Sequence, residues 1–348
     1  MAINNTKKVF DALSAQAVLT SQPDLRQYLT GLSTSFGYVL TDADGTCFYT
    51  DSRYLEMAKN VLGKYMQVKQ FEGSLEKILE PYEEVAIPVG RTLYPDYLKL
   101  SDMNLKIIDS TAAFTAAMSV KEDEEIAYIK KACEIADSAY LSLLGRIKEG
   151  MSENEVAAEL EYLMRKSGAS GTSFDTIVAF GENSSVPHHE TGHRKLKFGD
   201  IILIDFGCKY NGYCSDCTRT FLFGDDNNHE EFKNAYAHVL KAHMLVKEKI
   251  VPDITGKEAD AFARDYLKTY DLDKYFTHSL GHGIGVNIHE NPVLSPRSSE
   301  ILKNNMVFSD EPGVYFEGKF GIRIEDTVAL IDGKIVSLTD SDKKLTVL

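Results

Sequence analysis

The stretch THSLGHGIGVNIHENP, from Thr277 to Pro292, carries His278, His282 and His289 among glycines and β-branched residues. A neutral imidazole can ligate a metal or move a proton near neutral pH, so histidines this close invite either chemistry. The spacing is not that of a helical H-E-x-x-H zinc site. His289-Glu290 opens such a motif, but Val293 stands where its second histidine belongs. A single histidine beside GHGIG is more often structural; His282 gains weight as a ligand only if acidic partners reach it.

Such partners stand in two segments that read as hairpins. GDIILIDFGCKYNGYCSDCTRTFLF (199–223) contains Asn211-Gly212, a two-residue turn signal because a type I′ turn needs positive φ at both positions. That turn sets Tyr210 opposite Tyr213, Gly207 opposite Asp216 and Asp205 opposite Thr218. Asp205 and Asp216 then share a face as diagonal neighbours, roughly 7–8 Å apart at the backbone. Asp205 lies inside the apolar run IILIDFG, where a lone carboxylate is costly unless it is paired or bound to a cation.

The second segment, MVFSDEPGVYFEGKFGIRIEDTVAL (306–330), turns at FEGKF. A three-residue loop, Glu317-Gly318-Lys319, sets Phe316 opposite Phe320, Gly313 opposite Arg323 and Glu311 opposite Glu325. A two-residue turn would put the glutamates on opposite faces. Like charges directly opposite repel, and Arg323, on the face of Glu325, supplies part of the positive partner. If the hairpins pack face to face, four carboxylates converge. With one or two imidazoles they form a ligand set for two divalent ions such as manganese, cobalt, iron or zinc.

The elements that must hold these side chains follow from periodicity. Up to about residue 118, short apolar runs (17–21, 36–42, 47–51, 66–71, 85–90 and 105–110) alternate with the helical patterns RYLEMAKNVLGKY and SLEKILEPY. This predicts an α/β domain with a mixed or parallel sheet. Beyond it the order changes. Helices are predicted over 121–149, with an acidic first turn and an end near Gly150, and over 152–167, with Ser152 as N-cap. A β-rich block from about 174 to 224 follows, then helices over 229–250 and 256–269, then a second β-rich block from about 277 to 339. Two helices followed by strands, twice over, form an internal repeat in element order. The domains are placed at 1–118 and 119–348.

A chain of 348 residues exceeds one typical core at roughly 150 residues per domain. Its 43% hydrophobic and 26% charged content is ordinary for a globular protein. With 38 basic against 52 acidic residues the net charge is −14, and no Lys/Arg cluster stands out for phosphate; no nucleic-acid partner is expected. No apolar run approaches the ~20 residues of a membrane helix. MAINNTKKVFDALSAQ lacks the apolar core of a signal peptide, and the five cysteines are scattered. These features predict a cytoplasmic chain with no membrane partner. Cys214 and Cys217 are spaced C-x-x-C, but on a strand residues three apart point to opposite faces, which argues against a redox or zinc pair.

The segments IDFG…YCSDCTRTF, GHGIGVNIHENP, DEPGVY and IRIEDT resemble the signature segments of the pita-bread metallopeptidases, the group of methionine aminopeptidase, aminopeptidase P, prolidase and creatinase. YLTGLSTSFGYVLTDADGTCFYTDSRYLEMA is similar to the creatinase/prolidase N-terminal domain of the Xaa-Pro branch. The resemblance covers nearly the whole chain. It implies a creatinase/prolidase-like α/β domain over 1–118 and an α+β pita-bread catalytic domain with a pseudo-twofold internal repeat over 119–348.

The same resemblance implies metal ligands Asp205, Asp216, His282, Glu311 and Glu325, with Asp216 and Glu325 bridging two divalent ions. Manganese comes first, with cobalt, zinc or iron as alternatives. It implies catalytic roles for His188 (in SSVPHHETGHR, with His189 as its alternative), His289 and Glu311, and substrate-binding roles for His278, Arg323 and Tyr315. Ser309 departs from the family pattern, which often has threonine there. The implied activity is hydrolysis of the bond before proline by an Xaa-Pro aminopeptidase, on peptides with proline second. An Xaa-Pro dipeptidase is the alternative, and a ligand-binding protein on a pita-bread fold is the non-enzyme one. A homodimer is implied as well.

Overall fold

The apolar run beginning at Ala17 forms β1 (Ala17–Thr20), and all four of its residues are buried. In the computed structural model, which describes residues 2–225 and 228–348, β1 belongs to the first of two units, Met1–Met118 and Ser119–Leu348. It is flanked by β2 (Tyr38–Asp42) and β5 (Glu84–Ile87). With β3 (Gly45–Thr50), β4 (Gln67–Gln70) and β6 (Lys106–Asp109), the sheet order is β4-β3-β2-β1-β5-β6. β1–β2 and β2–β3 are antiparallel, and β1–β5, β5–β6 and β3–β4 are parallel. The sheet is therefore mixed, and each parallel step needs a crossover.

Helix α3 (Ser52–Leu62) crosses from β3 to β4 and is capped by the Asp51 carboxylate, which accepts from the Arg53 amide. Helix α4 (Leu75–Leu79) is capped in the same way by Ser74. The alternating pattern does not mark α1 (Ala2–Asp11), α2 (Pro23–Thr30), α5 (Tyr94–Ser101) or α6 (Thr111–Ser119). Helices α2 and α5 carry proline in their first turn. Proline reads as a breaker in a sequence, but the first helical amide has no partner to lose.

In the second unit, α7 (Asp123–Leu144) opens with a capping box between Glu122 and Glu125 and stops at Gly145. It ends short of Gly150, and the chain beyond it turns with Ile147 buried. Helix α8 (Glu153–Lys166) opens on a capping box between Ser152 and Glu155. This pair packs on the sheet β12-β9-β8, formed by β8 (Ile177–Phe180), β9 (Asp200–Phe206) and β12 (Cys217–Phe223). The small sheet β11-β10-β7, from β7 (Gly171–Thr172), β10 (Cys208–Tyr210) and β11 (Tyr213–Cys214), extends it.

The pattern repeats with α9 (Glu230–Lys249) and α10 (Gly256–Lys268). They cover β13 (Gly281–Gly283), β14 (Glu290–Leu294), β15 (Val307–Asp310), β18 (Asp326–Ile331) and β19 (Lys334–Ser337), ordered β14-β13-β15-β18-β19. The remaining hairpin pairs β16 (Gly313–Phe316) with β17 (Phe320–Arg323). Each half has its own core: Leu143, Val156 and Leu160 against Ile202, Ile204 and Phe221 in one, and Val239, Val246 and Ala263 against Phe308, Ile322 and Val328 in the other. Full burial of such aliphatic or aromatic side chains contributes roughly 1.5–3 kcal/mol each. The two halves form the α+β fold with an internal repeat.

Both hairpins close in the register their turns require. Asn211 and Gly212 have φ of 48° and 86°, Tyr210 pairs with Tyr213, and Asp205 with Thr218. In the second hairpin Phe316 pairs with Phe320 and Gly313 with Arg323, while Asp310 pairs with Asp326 across β15 and β18. Glu311 and Glu325 lie between these paired residues. Among the described residues no helix is long and apolar enough to cross a membrane.

Candidate active site

A cleft of about 470 Å³ opens in the second unit, and Asp205, Asp216, His282, Glu311 and Glu325 all line it. Five elements deliver them: β9 carries Asp205, the approach to β12 carries Asp216, β13 carries His282, the end of β15 leads to Glu311, and Glu325 joins β17 to β18. Glycines flank His282 because the backbones crowd there. A Cβ on Gly283 would stand 2.2 Å from the Asn291 carbonyl oxygen, so only glycine lets the strands approach.

Ligand atoms of Asp216, His282 and Glu325 lie within 4.8 Å of one another. His282 Nε2 is 3.5 Å from Asp216 Oδ2 and 3.4 Å from Glu311 Oε1. His282 Nδ1 faces the Gly283 carbonyl oxygen at 3.2 Å, which only a protonated Nδ1 can bond. Nε2 therefore turns its lone pair to the carboxylates. Burial, with His289 beside it, holds the imidazole down at about 4, so it is neutral and able to ligate.

The carboxyls are strained the other way. Burial, then the charges of Glu325, Asp205 and Glu311, push Asp216 well above its ordinary value. Burial, then Glu311 and Asp205, do the same to Glu325. Burial raises Glu311 to about 8 against the pull of Arg323. Asp205 Oδ2 accepts from Arg323 at 2.7 Å, while its buried Oδ1 has no hydrogen-bond partner among the described residues. Each buried ion costs several kcal/mol unless compensated, and one guanidinium cannot neutralise four carboxylates. Lone pairs of oxygen and nitrogen converge with too little positive charge, which fits divalent cations and no apolar ligand.

Arg323, Tyr315 and His278 form a directed chain. Arg323 donates to the Tyr315 hydroxyl at 2.6 Å, and that hydroxyl lies 3.0 Å from His278 Nε2. His278 Nδ1 is 2.8 Å from the Ser279 carbonyl oxygen, so Nδ1 carries the proton and Nε2 accepts from tyrosine. Burial, then Arg323, holds His278 down to about 3. His278 and Arg323 line the cleft, but Tyr315 does not. Its hydroxyl lies behind the wall, bonded to both.

His188 and His289 both line the cleft, and the His289 ring centre is 4.3 Å from that of His282. His189 turns away, with Nε2 2.9 Å from Glu153 Oε2. The neighbouring histidines, interchangeable in sequence, are separated by the fold. Cys214 and Cys217 are buried and unbonded to each other, and their thiols face the Val286 and Glu325 carbonyls. Sequence reasoning passes over the apolar wall of Phe174, Ile177, Pro187, Ile288 and Val293, whose residues lie in separate segments without a shared period. It also passes over Thr218 and Thr327, which bond to Glu325 and Asp216; the T-R-T and D-T spacings beside the acids are their one signal.

Compared with known proteins, residues 127–332 match Metallopeptidase family M24 and residues 3–117 match the Creatinase/Prolidase N-terminal domain. The chain is 36% identical over 343 residues to the Xaa-Pro dipeptidase of Pyrococcus furiosus, covering 97% of each. Among solved structures it is similar to an Xaa-Pro dipeptidase from Bacillus anthracis, with a TM-score of 0.92, 34% identity and coverage of 100% and 99%. It is also similar to an X-Pro aminopeptidase from Thermotoga maritima, with a TM-score of 0.91, 34% identity and coverage of 97% and 99%.

Proposed function

Since this chain belongs to Metallopeptidase family M24, we propose that it hydrolyses the bond before proline in Xaa-Pro dipeptides. The reading is carried by the near-complete match to the Pyrococcus furiosus dipeptidase, on a chain whose five candidate ligands line one cleft. It puts the dipeptidase ahead of the aminopeptidase that the sequence alone puts first, although the similar Thermotoga maritima structure is an aminopeptidase. A purely ligand-binding role has no support from a cleft that keeps every carboxylate and the imidazole.

Asp205, Asp216, His282, Glu311 and Glu325 would hold two divalent ions. Four carboxylates and one imidazole suit manganese better than zinc, which prefers four-coordinate sets rich in nitrogen and sulfur. Such ions supply Lewis-acid polarisation of a carbonyl and a water acidic enough to attack at neutral pH. Glu311 takes the proton of the attacking water at a carboxylate oxygen and delivers it to the departing proline nitrogen. His188 and His289 donate to the carbonyl oxygen as negative charge grows there. His278 and Arg323, fixed by Tyr315, orient the proline side of the substrate.

The deciding experiment compares Leu-Pro with Leu-Pro-Gly as substrates of the manganese-loaded protein. Release of leucine from the dipeptide alone supports the dipeptidase. Faster release from the tripeptide restores the aminopeptidase, and no release from either sinks both.

A further inference from the structure

Glu153 opens α8 with its side chain fully buried, and its one ionic partner among the described residues is His189. Oε1 accepts from the Phe180 amide at 2.9 Å and from Asn183 Nδ2 at 2.8 Å. Oε2 accepts from the Gly192 amide at 3.0 Å and faces His189 Nε2 at 2.9 Å. A buried carboxylate without such donors is costly. A place in the first turn of a helix favours the charge.

These four donors share one segment. Two precede His188 and two follow it, so a single carboxylate ties both arms of the loop that carries Pro187 and His188. A third anchor is the Pro187 carbonyl, which accepts from Arg323 at 3.3 Å. His188 itself is exposed at the cleft wall. The loop backbone sets its place, and Glu153 sets the loop.

We propose that Glu153, acting with His189, is a positioning residue that holds the 180–192 loop so that His188 faces the reacting carbonyl. The turnover part of this proposal rests on the peptidase reading above; the placement of the loop does not. The pair also accounts for two adjacent histidines with different work: His188 faces the cleft, and His189 anchors it from behind. In Glu153→Gln the new amide can still accept at one atom but presents N–H groups to the Gly192 amide. The loop loses its second arm.

The test is a double-mutant cycle of Glu153→Gln and His188→Ala, with the manganese-loaded protein and Leu-Pro. Glu153→Gln alone should lower kcat roughly 10- to 100-fold, as loss of a supporting partner does. KM should stay within about twofold, and manganese affinity should be unchanged. In the His188→Ala background the same change should cost less than about threefold, because residues acting through one another are not additive. Equal losses in both backgrounds overturn the proposal. His189→Ala should reproduce the loss and His189→Gln, whose amide reaches the same oxygen, should recover most of it. If a thermal melt shows Glu153→Gln unfolded, His189→Ala takes its place in the cycle.

A second readout needs no activity. In metal-free protein with labelled histidines, Glu153→Gln should shift or broaden the His188 ring signal and leave that of His282 in place. An unmoved His188 signal overturns the proposal whatever the substrate proves to be. Absence of any cleavage by the wild type counts against the peptidase reading alone.

Discussion

The Thr218 hydroxyl donates to Glu325 Oε2 at 2.6 Å, and the Glu325 amide donates back to the Thr218 carbonyl at 3.1 Å, although the two residues sit on different hairpins. The exchange recurs on both sides. The Arg323 amide donates to Thr220 Oγ1 at 3.1 Å, and that hydroxyl donates to the Arg323 carbonyl at 2.9 Å. The Asp216 amide donates to Thr327 Oγ1 at 3.0 Å, and that hydroxyl returns to the Asp216 carbonyl at 2.7 Å. Threonine hydroxyls thus stand in for ladder bonds between the two halves of the repeat. They bring a carboxylate pair from each half into one cluster.

Thr218→Val keeps the shape of the side chain and removes this hydroxyl, which also accepts from Arg323 Nε at 2.9 Å. Two charged groups then lose a partner in a buried place, at about 1–3 kcal/mol each. Urea unfolding should show a loss of about 2–6 kcal/mol. Manganese affinity, read by titration calorimetry, should fall roughly 10- to 100-fold because Glu325 is no longer oriented. Unchanged affinity would count against the hairpin contact as a determinant of the site.

Asp216→Asn should separate stability from function. Burial, then the charges of Glu325, Asp205 and Glu311, make an acid at position 216 costly to the metal-free protein, and a neutral amide removes that cost. The metal-free melting temperature should rise by a few degrees, as about 1 kcal/mol does in a domain of this size. Bound manganese should drop below the wild-type content, and turnover should fall by about a thousandfold or more, equivalent to several kcal/mol of lost metal catalysis. A variant that keeps its metal and its activity would falsify the ligand assignment.

The first hairpin register was legible because Asn211-Gly212 leaves one answer; the second depended on loop length, and the three-residue loop at Gly318 is what puts Glu311 and Glu325 on one face. What stayed illegible depends on contacts between distant strands. Thr218, Thr220 and Thr327 read as ordinary strand threonines until the halves meet. Glu153 and Glu155 look alike in the first turn of α8, yet Glu155 makes the capping box while Glu153 turns inward. Period 3.6 places His243 on the core face of α9 but cannot tell that two aspartates wait there. The family resemblance gives Tyr315 a substrate-binding role, but the sequence does not show that its hydroxyl bridges Arg323 and His278.

His243 gives the protein a pH-dependent stability term. It is 1% exposed, with Nδ1 3.0 Å from Asp310 Oδ2 and Nε2 3.3 Å from Asp326 Oδ2. Arg219, Lys247 and Lys343 also face Asp326. Burial alone would push the imidazole down, but Asp310 and Asp326 outweigh it and raise it from 6.5 to about 9. The folded state therefore holds the proton more tightly than the unfolded one. The stabilisation is complete below pH about 6.5 and is lost as pH rises through about 9. A shift of this size is of order 3 kcal/mol. Denaturant unfolding between pH 6 and 9.5 should show the wild type losing stability relative to His243→Gln, and parallel curves would refute the assignment.

Gly281 tests the crowding around His282. A Cβ there would stand 2.0 Å from the Ser309 carbonyl oxygen and 2.9 Å from Ser309 Oγ. Ser309 holds two candidate ligands at once: its hydroxyl accepts from the His282 amide at 3.0 Å and donates to Glu311 Oε1 at 3.0 Å. Gly281→Ala must push β13 from β15 at this point, and overpacking costs about 1–3 kcal/mol or more. Ser309→Ala removes the hydroxyl without moving the backbone, so its cost is the lost bonds alone, about 0.5–1.5 kcal/mol each. Both variants should bind manganese more weakly, but Gly281→Ala should lose more thermal stability and more affinity, because it displaces His282 as well as freeing Glu311. If Gly281→Ala binds manganese as tightly as the wild type, the close approach of the two strands is not what sets the geometry of His282.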